Sequence, residues 1–271
     1  MMKEWPSRLV LVGAGKMGGA LALGWLDGGL EASSLAILEP NPSEEIKALA
    51  ARGVAVNPSD PARPDVLALA VKPQSLDAVA PQIAPLARDG TLVMSILAGK
   101  TISDLKARLP QARAVVRAMP NTPAEIGRGV TAAFASPEAT PKQRRWSERL
   151  LSAVGAFHWL DDEAAINAVT AISGGGPAYV FALTEALAAA AEKLGLPPEL
   201  AMSLARGTVE GAGELMRRES ESSPAALRRN VTSPGGTTAA ALAVLQGQGG
   251  LDELMARAAA QACARAAEMA G

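Results

Sequence analysis

Through about residue 160 the chain alternates short apolar runs with helical patterns, and this alternation limits its fold more than any other feature. The runs RLVLVG, LAIL, VAV, DVLALAV, TLVMSIL and RAVVRAM are mostly continuous rather than alternating, as strands covered on both faces must be. Between most of them stand MGGALALGWLDGG, SEEIKALAARG, SLDAVAPQIAPLA and TISDLKARL, whose apolar residues recur at three- and four-residue spacing. Repeated strand-helix units with right-handed crossovers predict a doubly wound parallel sheet, an α/β Rossmann-type domain.

After about residue 161 the strand signals stop. DDEAAINAVTAI, PAYVFALTEALAAAAEKLG, PPELAMSLARGTVEGAGELMRR, TTAAALAVLQ and LDELMARAAAQACARAAEMA read as successive helices opened by Asp, Pro or Thr and often closed by Gly. The expected division is residues 1–161 as a dinucleotide-binding domain and 162–271 as an all-α domain. Several of these helices are apolar over so wide an arc that one chain does not cover them, which predicts a homodimer and leaves a higher assembly of dimers open. The stretch from Ala164 to Thr184 has no charged side chain and is long enough to cross a bilayer. Gly174, Gly175, Gly176 and Pro177 interrupt it, so it reads as a buried helix broken near its start and not as a membrane span.

Charge excludes one class of partner. Twenty-six basic residues against 27 acidic ones give a net charge of -1, with no basic stripe to track a phosphate backbone, so nucleic acid is not an expected ligand. The single cysteine, Cys263, cannot form an internal disulfide, and the N-terminus shows no signal-peptide pattern, so the chain reads as cytoplasmic.

VLVGAGKMGGA places Gly13, Gly15 and Gly18 between a strand and a helix. In this spacing the first glycine makes the tight turn, the second lets a pyrophosphate approach the backbone, and the third lets helix and strand pack. Glu39 ends the second strand in LAILEPNP, where a carboxylate accepts hydrogen bonds from the adenosine ribose and repels a 2′-phosphate. That leans toward NADH, unless the turn swings Glu39 aside and Lys16, Asn41 or Lys47 meets a phosphate. AVKPQ (70–74) and SILAG (95–99) end the fourth and fifth strands at the carboxyl edge, where open sheets bind ligands; Lys72 is either a site residue or a solvated strand end.

VTSPGGTTAAALAVL, residues 231–245, sets Pro234, Gly235 and Gly236 ahead of an alanine-rich helix. It reads either as an ordinary helix start capped by Thr237 or Thr238, or as an anion site using first-turn N–H groups. Other acid candidates are poor. His158 is the only histidine and reads as structural, Asp161 and Asp162 as helix caps, Cys263 as core, and no metal-ligand spacing is visible.

GAGKMGGA, AVKPQ, SILAGKTISDL, RAMPNTPAEIGRG, AVTAISGGGPAYVFALTEAL and NVTSPGGTTAAALAVL, in this order and spacing, together resemble the pyrroline-5-carboxylate reductase family over nearly the whole chain. The resemblance implies a Rossmann domain followed by a helical dimerisation domain, and reduction of the C=N bond of 1-pyrroline-5-carboxylate to L-proline with NADPH or NADH. It implies cofactor contacts at Gly13, Ala14, Gly15, Lys16, Met17, Gly18, Asn57, Ala70, Val71, Lys72, Pro73 and Ala98, with Glu39 added from the strand-end argument and Asn230 near the nicotinamide side. It implies a pocket for the cyclic imino acid at Glu221, Ser233, Gly236, Thr237 and Thr238, with Thr238 as the catalytic hydroxyl. Two departures stand out. Lys16 replaces the family's usual Asn, and Gly175 replaces a serine, so no substrate contact is assigned to position 175. The rival readings are a β-hydroxyacid dehydrogenase, an imine reductase on another small substrate, and a non-catalytic NAD(P)H sensor. The first is disfavoured because the glycine-rich helix reaches no lysine before Lys193.

Overall fold

A computed structural model describes residues 4–270. They form two compact units, one comprising the described residues through Gly175 together with those from Ala262 onward, the other Gly176–Gln261.

The first unit is built on one sheet. Its strands are β1 (Leu9–Val12), β2 (Leu35–Leu38), β3 (Ala55–Val56), β4 (Val66–Leu69), β5 (Leu92–Ser95), β6 (Ala114–Met119), β7 (Gly129–Ala135) and β8 (Gly155–Trp159), in spatial order β3-β2-β1-β4-β5-β6-β7-β8. All pairings are parallel except β6–β7; the six strands expected from the sequence, β1 to β6, pair in parallel throughout, as expected. The chain winds one way from β1 to β3 and then crosses to β4 on the other side of β1. This reversal opens a crevice at the carboxyl ends of β1 and β4.

Helices α1 (Lys16–Asp27), α2 (Glu44–Ala48), α3 (Leu76–Ile83), α4 (Ile102–Arg108) and α5 (Pro141–Ser152) accompany the sheet. The continuous apolar runs are explained by two cores. Leu9 and Leu11 of β1 join Leu21 and Trp25 of α1 and Leu150 of α5 on one face, while Val10 and Val12 join Leu76 and Ile83 of α3 and Leu105 of α4 on the other. The Trp25 indole, fully buried, donates to the Leu150 carbonyl at 2.9 Å and so ties α1 to α5.

The strand signals stop where β8 ends, but the compact unit continues through α6 (Ala165–Val169) and a π-helical turn, Thr170–Gly174. Here the structure corrects the sequence reading. The helix is not broken at the glycines: Gly175 N–H donates to the Thr170 carbonyl at 2.9 Å, and the chain runs on into α7 (Gly176–Lys193). Nor is α7 buried within one chain, since Ala188 is its only buried residue. The stretch Ala165–Lys193 is long and apolar enough by length and composition to cross a membrane.

The second unit holds α7, α8 (Pro198–Arg218), α9 (Pro224–Asn230), α10 (Thr237–Leu245) and the first part of α11 (Leu251–Ala270). Helix α7 packs along α8, and buried apolar residues of this unit are Ala188, Ala201 and Ala205. Small side chains allow close helix approach but bury little area, and Val180, Phe181, Leu183, Leu187, Leu200 and Leu204 stay exposed.

Candidate active site

The glycine loop follows β1 directly. Gly13 has φ +88°, and a Cβ there would lie 2.8 Å from the backbone of Ala70 and Val71, so only glycine lets the loop pass the end of β4. A Cβ at Gly18 would strike the Gly13 carbonyl. Gly15 is the N-cap of α1, no side chain caps that helix, and nothing lies within 4 Å of where its Cβ would stand. Unpaired first-turn N–H groups thus face open space, an arrangement that fits the pyrophosphate of NAD(P)H. Lys16 is exposed at the first position of α1, and Ala14 is buried beside it.

Two cavities flank this loop within the first unit. One, of about 280 Å³, lies along the carboxyl edge: Met17 from α1, Ala70, Val71 and Pro73 after β4, Ile96, Leu97 and Ala98 after β5, Met119 at the end of β6 with Pro120 to Thr122 after it, and Gly174 of the π turn. It collects the expected residues Met17, Ala70, Val71, Pro73 and Ala98, whereas Lys72 is exposed and outside the lining. Asn121 was not singled out from the sequence. Its Oδ1 accepts Val130 N–H at 2.9 Å and its Nδ2 donates to the Ser173 carbonyl at 3.1 Å, fixing the π turn to the end of the sheet. The signal that could have found it is the one used for AVKPQ and SILAG, since MPN follows the next strand at the same edge.

The other cavity, about 520 Å³, lies beside α1 and α2 and is lined by Ala14, Gly15, Lys16, Asn41, Ser43, Glu45 and Glu125 among others. At its margin Glu39 is held and not swung aside. Its Oε2 accepts Ala14 N–H at 2.8 Å and its Oε1 accepts Asn41 N–H at 3.0 Å. Asn57 spends its amide on the Glu39 main chain: Oδ1 accepts Glu39 N–H at 2.9 Å and Nδ2 donates to the Glu39 carbonyl at 2.8 Å.

In the second unit, the TSPGG turn is closed by Gly236 N–H donating to the Ser233 carbonyl at 3.1 Å, with Gly235 at φ +69°. Of the two readings of this turn, the one with a threonine cap is not found. Gly236 is the N-cap of α10 and makes no side-chain cap, so Thr237 and Thr238 lie inside the first turn and cap nothing. Ser233, Thr237 and Thr238 are exposed, as are Glu221 between α8 and α9 and Asn230 at the end of α9.

The remaining candidates divide. Asp162 Oδ1 accepts Ala164 N–H at 3.0 Å in the turn ahead of α6, but Ala164 is the N-cap of that helix and no side chain caps it, so the expected cap role is not found. His158 is exposed on β8, and Cys263 is half-buried rather than core.

Comparison with known proteins agrees with this geometry. Residues 163–269 match the family model for pyrroline-5-carboxylate reductase dimerisation, and residues 8–99 match that of the coenzyme F420-dependent NADP oxidoreductases. A pyrroline-5-carboxylate reductase of Pseudomonas aeruginosa is 42% identical over 266 residues, 97% of each chain. This chain belongs to the pyrroline-5-carboxylate reductase family. Among solved members, the enzyme of Coxiella burnetii is 35% identical with a TM-score of 0.89, covering 98% of this chain and 99% of its own. The Plasmodium falciparum enzyme, solved with NADP bound, is 28% identical with a TM-score of 0.80, covering 97% and 98%.

Proposed function

We propose that this chain reduces the C=N bond of 1-pyrroline-5-carboxylate to give L-proline with NAD(P)H, acting as a homodimer in the cytoplasm. The observation that carries the reading is 42% identity to a pyrroline-5-carboxylate reductase across 97% of both chains. The glycine loop, with its open cradle in front of Gly15, supports the cofactor half of it.

Bound NAD(P)H supplies the hydride that goes to the imine carbon, so this chain's residues have two tasks: to hold two molecules in line and to manage the nitrogen's proton. Gly13 to Gly18 hold the pyrophosphate on the N-terminus of α1, with Glu39 toward the ribose. Ala70, Val71, Pro73 and Ala98 position the nicotinamide side. The uncapped start of α10, at Gly236 and Thr237, offers N–H groups to the substrate carboxylate, an interaction worth about 0.3–1 kcal/mol from the dipole. Glu221 and Ser233 complete the pocket. The Thr238 hydroxyl donates to the imine nitrogen or relays a proton to it, while the backbone amides keep the carboxylate.

The test is spectrophotometric: oxidation of NADH and NADPH by the purified protein with pyrroline-5-carboxylate, and proline as the product. Turnover is expected with both cofactors. Cofactor binding without turnover on this imine would overturn the reading and point to another substrate or to a sensor.

A further inference from the structure

The carboxylate of Glu39 stands in a built position. Each of its oxygens already accepts one backbone N–H, from Ala14 of the glycine loop and from Asn41 of the turn that follows β2. A carboxylate offers about four acceptor sites, so roughly two remain for hydroxyl groups arriving at this edge. The main chain of Glu39 is clamped on both sides by the Asn57 amide, and Asn57 N–H in turn donates to the Ile37 carbonyl at 2.8 Å. Asn57 is the one described residue other than glycine at positive φ, at +50°. Backbone held in that region by a non-glycine residue marks a position whose geometry is fixed by its surroundings.

Among the described residues no cation is paired with Glu39. Lys47 is paired with Glu44 at 2.7 Å and Arg52 with Asp27 at 3.7 Å. The cavity beside Ala14 and Asn41 sets one cation, Lys16, against Glu45 and Glu125. A ribose with free 2′- and 3′-hydroxyls can donate to Glu39; a 2′-phosphate would bring two like charges to a pinned carboxylate with no free cation surplus.

We propose that this enzyme takes NADH in preference to NADPH, with Glu39 as the specificity-determining residue and Asn57 as the residue that positions it. The inference rests on the chain being an NAD(P)H-dependent reductase, and it departs from the NADP in the description of the matching N-terminal family model.

The test is calorimetric titration of the dimer with NADH and with NADPH, without imine substrate, followed by kcat/KM for both cofactors. Wild type should bind NADH more tightly, by about tenfold or more. Glu39→Gln keeps an acceptor for a backbone N–H and removes the charge, so the NADH/NADPH affinity ratio should fall by about 10–100-fold, and Glu39→Ser should act in the same direction. Asn57→Gly retains the backbone conformation and deletes the clamp. Its ratio should fall by a smaller factor, about 3–10-fold, while a merely structural role would weaken both cofactors alike and leave the ratio unchanged. Wild-type binding that favours NADPH, or a ratio unmoved by Glu39→Gln, would overturn the proposal. A ratio moved by Glu39→Gln but not by Asn57→Gly would overturn the part assigned to Asn57. A preference for NADH in binding with no turnover of pyrroline-5-carboxylate would sink the substrate assignment and leave this inference standing.

Discussion

Thr238 is exposed at the second position of α10 and caps nothing, so its hydroxyl is free of structural duty within the turn. Thr238→Ala should therefore keep the fold and the NADH affinity while lowering kcat by about 10²–10⁴-fold, the range for a lost proton donor. Proline should inhibit the variant much as it inhibits wild type, because the amides survive the change. An unchanged kcat would return the proton to water. A purely structural side chain behaves differently. Asp104 closes a capping box with Thr101 at the start of α4, accepting from the Thr101 N–H at 2.9 Å and hydroxyl at 2.8 Å. Burial pushes its carboxyl up, but the Thr101 bonds with Lys100 and Arg108 outweigh this and hold it below the ordinary value. A depressed carboxylate contributes stability that is present above its unfolded value, about 3.9, and lost as pH falls through the folded one. Asp104→Asn should unfold at lower urea than wild type at neutral pH, and the gap should narrow below about pH 4. Thr101→Ala should cost about 0.5–2 kcal/mol at neutral pH. The glycine loop and the strand-end Glu39 were legible in the sequence because each depends on local spacing. The role of Asn57 as a clamp on Glu39 was not, because it joins residues from two strands that meet only in the folded sheet.

At the scale of elements, one buried ion pair ties three of them. Arg117 of β6, with its side chain 4% exposed, donates to Glu163 Oε1 at 3.1 Å, and the same oxygen accepts Ile102 N–H at 2.8 Å at the first residue of α4. Glu163 stands just ahead of α6, so it joins the sheet and the start of α4 to the segment leading into the π turn. Removing one member of such a pair is asymmetric. Glu163→Ala leaves a buried guanidinium unpaired and should cost about 3–5 kcal/mol in urea unfolding, whereas Arg117→Met replaces the charge with an apolar side chain of similar reach and should cost less. Equal costs would mean that the pair adds nothing beyond volume. Elements with strong periodicity were readable in advance: the strands β1, β2, β4, β5 and β6 follow the continuous apolar runs. β7 and β8 were missed for physical reasons. GVTAAFA is dominated by small residues, and GAFHW alternates half-buried with exposed positions on an edge strand, so neither shows the run of a strand buried on both faces. Helices α5 and α9 were missed because PKQRRWSERLLS and PAALRRN are polar enough to read as connections.

At the scale of the molecule, the second unit is the part that a single chain does not complete. Phe181 is 65% exposed on α7, with Leu183 on the same helix and Leu200 and Leu204 on α8 also open, and few side chains in this unit are buried. Contiguous apolar surface of this kind is covered by association in soluble proteins, and a closed pair that buries the same patch on both copies satisfies it without leaving an open edge. The broken, buried helix expected from the sequence fails for this reason: the apolar pattern was legible, but the single chain holds nothing that covers it. Light scattering over a dilution series should therefore give a dimer mass down to low concentration. Phe181→Asp should shift it toward monomer, since a carboxylate placed in an apolar contact is desolvated without a partner. The first unit has its own two cores on either side of the sheet, so NADH binding by the variant should persist within about threefold. Turnover should fall with the dimer fraction if the catalytic site needs both copies. A monomeric Phe181→Asp variant with wild-type kcat would show that each chain works alone and that turnover does not need the dimer.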